Sequence, residues 1–309
     1  KSANQCFLLF RDSQGLSPIR RERSGEMSGN FIGLLMFAAL MGFLVYRVHI
    51  GIAMFIVGAG GYLAMYEGNW SPLINSLKNL AFARFSNYDL AVIPLFILMG
   101  QFATNGGLSR ALFQCVNNFV GHWRGGVAMA AVGACGAFGA ICGSSLATAA
   151  TMGQVALPEL KRFRYSGALS TGALAAGGTL GILIPPSVPL VIYAVLTQES
   201  MGKLFMAAVV PGVIALIGYM LVIRIVVTLN PEAGPAGPKV ALDERLRSLV
   251  NVAPVIFVFL VVIVGIYAGW ANPTEAASIG VGACGILAIL NGMRKDGVVR
   301  SLLGTAEAT

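Results

Sequence analysis

The chain alternates long apolar runs with short charged clusters, and that spacing predicts membrane-crossing helices. Apolar runs cover Phe31–Val45, Ile50–Tyr66, Leu90–Thr104, Phe205–Val227, Val252–Trp270 and Ala276–Leu290, around or somewhat below the ~20 residues that cross a bilayer's hydrocarbon. Arg224 stands close to one end of its run, where a long side chain reaches the interface. A mixed stretch after Pro72, carrying Lys78 and Arg84, predicts a helix lying in the interface. Residues 1–26 break the pattern: they are polar, contain Arg20-Arg21-Glu22-Arg23, and lack the apolar core of a cleavable signal. They read as a disordered or spurious tail before a start at Met27.

Two further segments, Gly125–Pro158 and Tyr165–Gln198, hold no charged residue at all. As a straight helix each would run about 50 Å, against a hydrocarbon core of ~30 Å. Their interiors predict how each is interrupted. The first has Gly143-Ser144-Ser145 at its middle. The second has Gly177-Gly178-Thr179-Leu180-Gly181 followed by Ile184-Pro185-Pro186-Ser187-Val188-Pro189, and adjacent prolines end a helix because they lack the amide donor and clash with the preceding turn. Basic residues flank the first segment on both sides (Arg124; Lys161, Arg162, Arg164), so the positive-inside bias returns it to the side it entered from. It is a re-entrant hairpin over 125–158. The second runs from Arg164 to Glu199 and crosses, as two half-helices joined by unwound backbone over 165–198.

The fold class is therefore an all-α polytopic membrane protein with a re-entrant helical hairpin and a discontinuous helix. Scaffold helices occupy 27–120, an element holding both interrupted segments 121–200, and a membrane helix 201–229. A cytoplasmic linker follows over 230–249, and its Pro231–Pro238 stretch predicts a flexible connector.

Composition supports this reading and removes others. Of 309 residues 56% are hydrophobic and 11% charged, with a mean hydropathy of +0.77, whereas soluble domains carry about 25% charged residues. The net charge of +8 sits in short clusters between spans and not in an aromatic-interleaved stripe, so nucleic acid is excluded as a partner; the lipid bilayer is the expected surroundings. Five cysteines form no CxxC pair and two histidines lie at span edges, which excludes a disulfide framework and a zinc site. No GxSxG, HExxH or phosphate-loop pattern occurs, so the chain is not expected to be an enzyme.

Irregular backbone at membrane depth persists only where protein or a water-filled cavity surrounds it. Unwound carbonyls and helix C-termini suit a cation, and helix N-termini suit a carboxylate. The two interrupted segments offer no ionisable group for a proton relay. A hard cation held by oxygens fits better, with sodium as coupling ion and no other cofactor. The candidate site consists of Gly143, Ser144, Ser145, Thr148, Gly178, Thr179, Gly181, Pro185, Pro186 and Ser187, with sodium reached through Ser144, Ser145, Gly178 and Gly181. The plainer alternative is packing, since small residues, including Gly139-x-x-x-Gly143, also bring membrane helices together.

The runs Gly136-Ala137-Phe138-Gly139-Ala140-Ile141-Cys142-Gly143-Ser144-Ser145-Leu146-Ala147-Thr148 and Gly178-Thr179-Leu180-Gly181-Ile182-Leu183-Ile184-Pro185-Pro186-Ser187, with Pro273-Thr274-Glu275-Ala276-Ala277, resemble the large membrane subunit (DctM type) of tripartite ATP-independent periplasmic (TRAP) transporters. The resemblance implies a permease of the bacterial inner membrane importing C4-dicarboxylate-like organic acids with sodium by an elevator movement. Its expected partners are a periplasmic binding protein (DctP type) and a small membrane subunit (DctQ type). It implies two inverted repeats, with 250–309 as the start of the second, so that the chain reads as C-terminally truncated. A sodium-coupled citrate-type carrier without a binding protein, and a non-transporting membrane anchor, are the alternatives.

Overall fold

The computed structural model describes residues 29–66, 68–86 and 88–308; the predicted tail over 1–26 lies outside the described residues. All regular elements among them are helices, and the chain divides into two compact units at Phe85/Ser86.

In the first unit α1 (Gly29–Val45) packs on α2 (Ile50–Met65), and α3 (Trp70–Phe85) follows. Both α1 and α2 are apolar on every side and expose most of their large side chains, as expected where lipid is the solvent. The helix predicted after Pro72 is α3; it starts at Trp70, so the proline falls in the first turn, where its missing donor costs nothing. Tyr62 Oη and Ser76 Oγ share a hydrogen bond of 3.0 Å between α2 and α3.

The second unit opens with a short 3-10 turn (Tyr88–Ala91), then α4 (Val92–Asn105), α5 (Leu108–Val120), α6 (Gly126–Cys142), α7 (Ser145–Arg162), α8 (Gly167–Leu183), α9 (Val188–Thr197) and α10 (Met201–Leu229). A second 3-10 turn (Pro231–Ala233) leads to α11 (Leu242–Tyr267), α12 (Pro273–Leu290) and α13 (Lys295–Ala308). Among the described residues four stretches are long and apolar enough to cross a membrane: α8 with α9, α10, α11 and α12. The pair α4 and α5, bent by 69°, makes a fifth if counted as one span. The protein is an all-α, multi-pass membrane protein.

The hairpin follows from where its ends meet. Tyr165, just past α7, accepts a hydrogen bond at Oη from the Val127 amide at the start of α6 (3.2 Å). Because α6 and α7 each extend about 25 Å, those ends touch only if the chain reverses between them. It reverses at Gly143, which is left-handed (φ 64°), and at extended Ser144, whose hydroxyl accepts from the Ala147 amide (3.4 Å) as the cap of α7.

Helix α8 lies parallel to α6 and antiparallel to α7. Cys135 meets Gly177 and Gly139 meets Gly181 along α6, whereas Ala149 and then Ser144 meet Gly178 and Gly181 along α7. Glycine is required at these crossings: a Cβ on Gly139 would stand 2.6 Å from Gly181 Cα, and one on Gly178 2.7 Å from Ala149 Cβ. Backbones this close gain dispersion contacts that replace a hydrophobic drive absent in lipid.

The second interruption is narrower than predicted. Gly178, Thr179 and Gly181 lie inside α8, and the helical path stops only at Ile184–Ser187, with a cis peptide between Pro185 and Pro186. The glycines stay helical because neighbouring backbone presses on them; the prolines end the ladder because they have no amide hydrogen.

Other boundaries move too. The predicted span at Val252 belongs to α11, which starts ten residues earlier, at Leu242, with Asp243 and Glu244 in its first turn, where acidic groups favour the helix dipole. Helices α5 and α13 form where no span was predicted. Where a flexible connector was expected after Asn230, the chain forms a hydrogen-bonded strap. The Gly125 amide donates to Gly234 O (3.0 Å), the Ser166 amide to Ala233 O (3.0 Å), the Gly237 amide to Gly121 O (2.9 Å), and Tyr165 Oη to Pro235 O (2.9 Å).

Substituting Gly139→Ala is expected to destabilise the solubilised protein by about 1–3 kcal/mol through overpacking. Gly153→Ala, whose Cβ would meet nothing within 4 Å, is expected to leave the thermal midpoint unchanged or slightly raised. Thermal unfolding in detergent reads both.

Candidate binding site at the two helix breaks

The two interruptions meet. The carbonyl of Gly143, at the hairpin tip, accepts a hydrogen bond from the Val188 amide at the start of α9 (3.2 Å). A Cβ on Gly143 would lie 3.0 Å from Pro186 O, so the tip is in backbone contact with the second break. The C-termini of α6 and α8 and the N-termini of α7 and α9 thus gather in one place without a charged side chain, setting partial negative and partial positive ends side by side.

The oxygens left over define what this place can bind. Thr148 and Ser187 are fully buried, and both hydroxyls lack a hydrogen-bond partner apart from a soft contact of the Cys142 thiol with Thr148. A buried hydroxyl without a partner costs roughly 1–3 kcal/mol, so two of them at a helix break mark a ligand position better than they mark packing. Thr148 Oγ1 and Ser144 O press on Gly181, where a Cβ would stand 2.8 and 2.9 Å from them. The carbonyls of Gly181 and Ile182 look to Pro185 and Pro186 four residues on, and proline has no hydrogen to give. Among the described residues no group of three His, Cys, Asp or Glu could hold a metal ion. The donor set is hydroxyl and carbonyl oxygen, which suits a hard cation.

A cavity of about 250 Å³ opens beside the tip. Ser144 and Ser145 line it with Gly100, Gln101 and Thr104 of α4 and with Val188 of α9. Thr104 Oγ1 already donates to Gly100 O (2.9 Å), which leaves the amide of Gln101 as the uncommitted polar group of that wall. Sequence reasoning missed α4 as part of the site. The available signal was Gln101 itself, a lone amide in an otherwise apolar span, since polar groups inside membrane segments mark functional positions.

The structure brings together Gly143, Ser144, Ser145, Thr148, Gly181, Pro185, Pro186 and Ser187. Gly178 packs on α7 one turn below. Thr179 points elsewhere: it is exposed, and its hydroxyl contacts Ala176 O (2.7 Å) and Tyr219 Oη of α10 (3.0 Å).

A charge-free meeting of two helix breaks, inside a bundle of apolar crossing helices, is an arrangement from which secondary transporters build their sites. The comparison with known families agrees: the tripartite ATP-independent periplasmic transporter, DctM component, matches residues 37–309, and the chain belongs to that family. Curated relatives include a C4-dicarboxylate TRAP transporter large permease protein DctM of Pseudomonas aeruginosa, 43% identical over 66% of this chain and 48% of the relative. An ectoine TRAP transporter large permease protein of Halomonas elongata is 32% identical over 83% of this chain and 58% of the relative. An isethionate TRAP transporter permease protein DctMQ of Oleidesulfovibrio alaskensis is 34% identical over 77% of this chain and 36% of the relative. The relatives are transporter permeases and not enzymes. The chain spans about half the length of the curated relatives it matches.

Because its hydroxyl is buried without a partner, Ser187→Ala is expected to raise the thermal midpoint in sodium-free detergent, by an amount equivalent to about 1 kcal/mol or more. A fall in the midpoint would mean that the hydroxyl has a structural partner.

Proposed function

We propose that this chain is part of the large permease subunit of a sodium-coupled TRAP transporter of the bacterial inner membrane, importing small organic acids of the C4-dicarboxylate kind. The observation that carries the reading is the contact between Gly143 and Val188 beside the two unsatisfied hydroxyls of Thr148 and Ser187. In this reading the cation is held by oxygens of Ser144, Ser145, Thr148, Gly181 and Ser187. Gly178, inside α8, serves the close packing that positions them. The acid's carboxylate lies at the N-termini of α7 and α9, within reach of Gln101. Sodium supplies positive charge that neither interrupted segment has of its own, so cation and acid favour each other's binding.

A periplasmic binding protein of DctP type delivers the acid, and a small membrane subunit of DctQ type completes the permease. The resemblance to TRAP permeases and the name of the DctMQ relative support the latter partner. The hairpin and the broken helix move together as the elevator.

Two measurements test the proposal. In proteoliposomes holding the complete permease with its small subunit and binding protein, uptake should stop when choline replaces sodium. Ser144→Ala with Ser145→Ala should lower uptake by about tenfold or more, the scale of one or two lost bonds to a charged ligand. With this chain alone in detergent, sodium should raise the thermal midpoint of the wild type, and Thr148→Val with Ser187→Ala should abolish that rise. Uptake unaffected by choline would reject sodium coupling.

A further inference from the structure

A second polar cavity, of about 670 Å³, lies at the opposite end of the hairpin from the tip. Its walls come from α5, the base of α7, the strap and the first turns of α11, all in the second unit. Three arginines from three helices line it: Arg110, Arg162 and Arg247. Their partners are unequal. Arg162 Nη1 is paired with Glu159 Oε2 at 3.5 Å. Arg110 and Arg247 form no ion pair among the described residues, and Glu244 is the one other carboxylate on the wall. Amides of Gln114, Asn118 and Asn251 face the same space, and none has a hydrogen-bond partner among the described residues. The floor is apolar, including buried Phe113 and part-buried Val155.

We propose that this cavity binds a phosphate group, carried by an anionic lipid or taken from solution. Two unpaired guanidiniums can each present two parallel donors to a phosphate. The amides add neutral donors around it, and an apolar floor beneath a basic rim raises the strength of the charge pairing. Positive-inside orientation explains why arginines gather at this end of the bundle. It does not explain why two of them, from helices distant in sequence, share one cavity with neither in an ion pair among the described residues. A phosphate there would join α5 and α11 to the base of the hairpin. This inference is independent of the transport reading, because it involves no residue of the tip.

The test uses the purified chain in lipid-depleted detergent, with the thermal midpoint as readout. Phosphatidylglycerol in mixed micelles should raise the midpoint of the wild type by several degrees, and phosphatidylcholine should not. A comparable rise with inorganic phosphate alone would identify the soluble source; a rise only with phosphatidylglycerol identifies the lipid headgroup. The double variant Arg110→Gln, Arg247→Gln should keep the unliganded midpoint, since both side chains are exposed. Its apparent affinity for the ligand should weaken by about tenfold or more. Arg110→Lys with Arg247→Lys should restore part of the response, and Arg224→Gln, away from the cavity, should leave it intact. Equal responses to the two lipids, no response to any probe, or a double variant that responds as the wild type does would each overturn the proposal.

Discussion

The structure depends on the cost of leaving backbone amides and carbonyls unpaired away from water. A chain that stops being helical at membrane depth must find partners for the groups it frees, and here each break partly serves the other. The hairpin tip presents the Gly143 carbonyl and the start of α9 presents the Val188 amide. Their bond fixes where both helices can end, and it also holds the register by which Gly139 meets Gly181 and Cys135 meets Gly177. Glycines along that seam are therefore part of the same constraint: without backbone contact between α6 and α8, the two breaks would not face each other.

What the pairing leaves unsatisfied is as informative as what it satisfies. The carbonyls opposite Pro185 and Pro186 lose the amide donors a helix would give them, and among the described residues the hydroxyl of Ser187 has no partner and that of Thr148 only the soft contact of the Cys142 thiol. A sequence selected only for stability would place apolar atoms there, since an unpaired buried hydroxyl costs more than a methyl of similar shape. Retaining them is the pattern expected where stability is given up for binding.

Most of this was legible in the sequence, for reasons that can be stated. Spans and interruptions are written in hydropathy and in proline, whose covalent chemistry acts locally, so the turn at Gly143-Ser144 and the gap before Ser187 could be placed to within a few residues. The start of the second gap was misplaced at Gly178, because a glycine looks the same whether it loosens a helix or admits a neighbour; only the opposing Ala149 decides. Helix α5 was missed because its buried face is a narrow stripe among polar residues, a weaker signal than a continuous apolar run, and α13 because the residues it buries, Ser301 and Thr305, are themselves polar. Gln101 was overlooked because its meaning depends on which helix stands opposite. The strap was read as flexible from its prolines and glycines, yet the same composition lets it lie flat against Gly121 and Gly125, where a Cβ on Gly237 would come within 2.7 Å of Gly121 O.

That strap changes the mechanics of the bundle. Hairpin and broken helix are joined at the tip through Gly143 and Val188, and again at the foot, where Ala233, Gly234 and Pro235 tie Gly125, Tyr165 and Ser166 together. Two bars fastened at both ends form a closed frame. Shearing one against the other would break hydrogen bonds at top and bottom at once, so the two favour displacement as one body, with bending left to the connections that lead away from it, such as the non-helical stretch between Lys239 and Ala241.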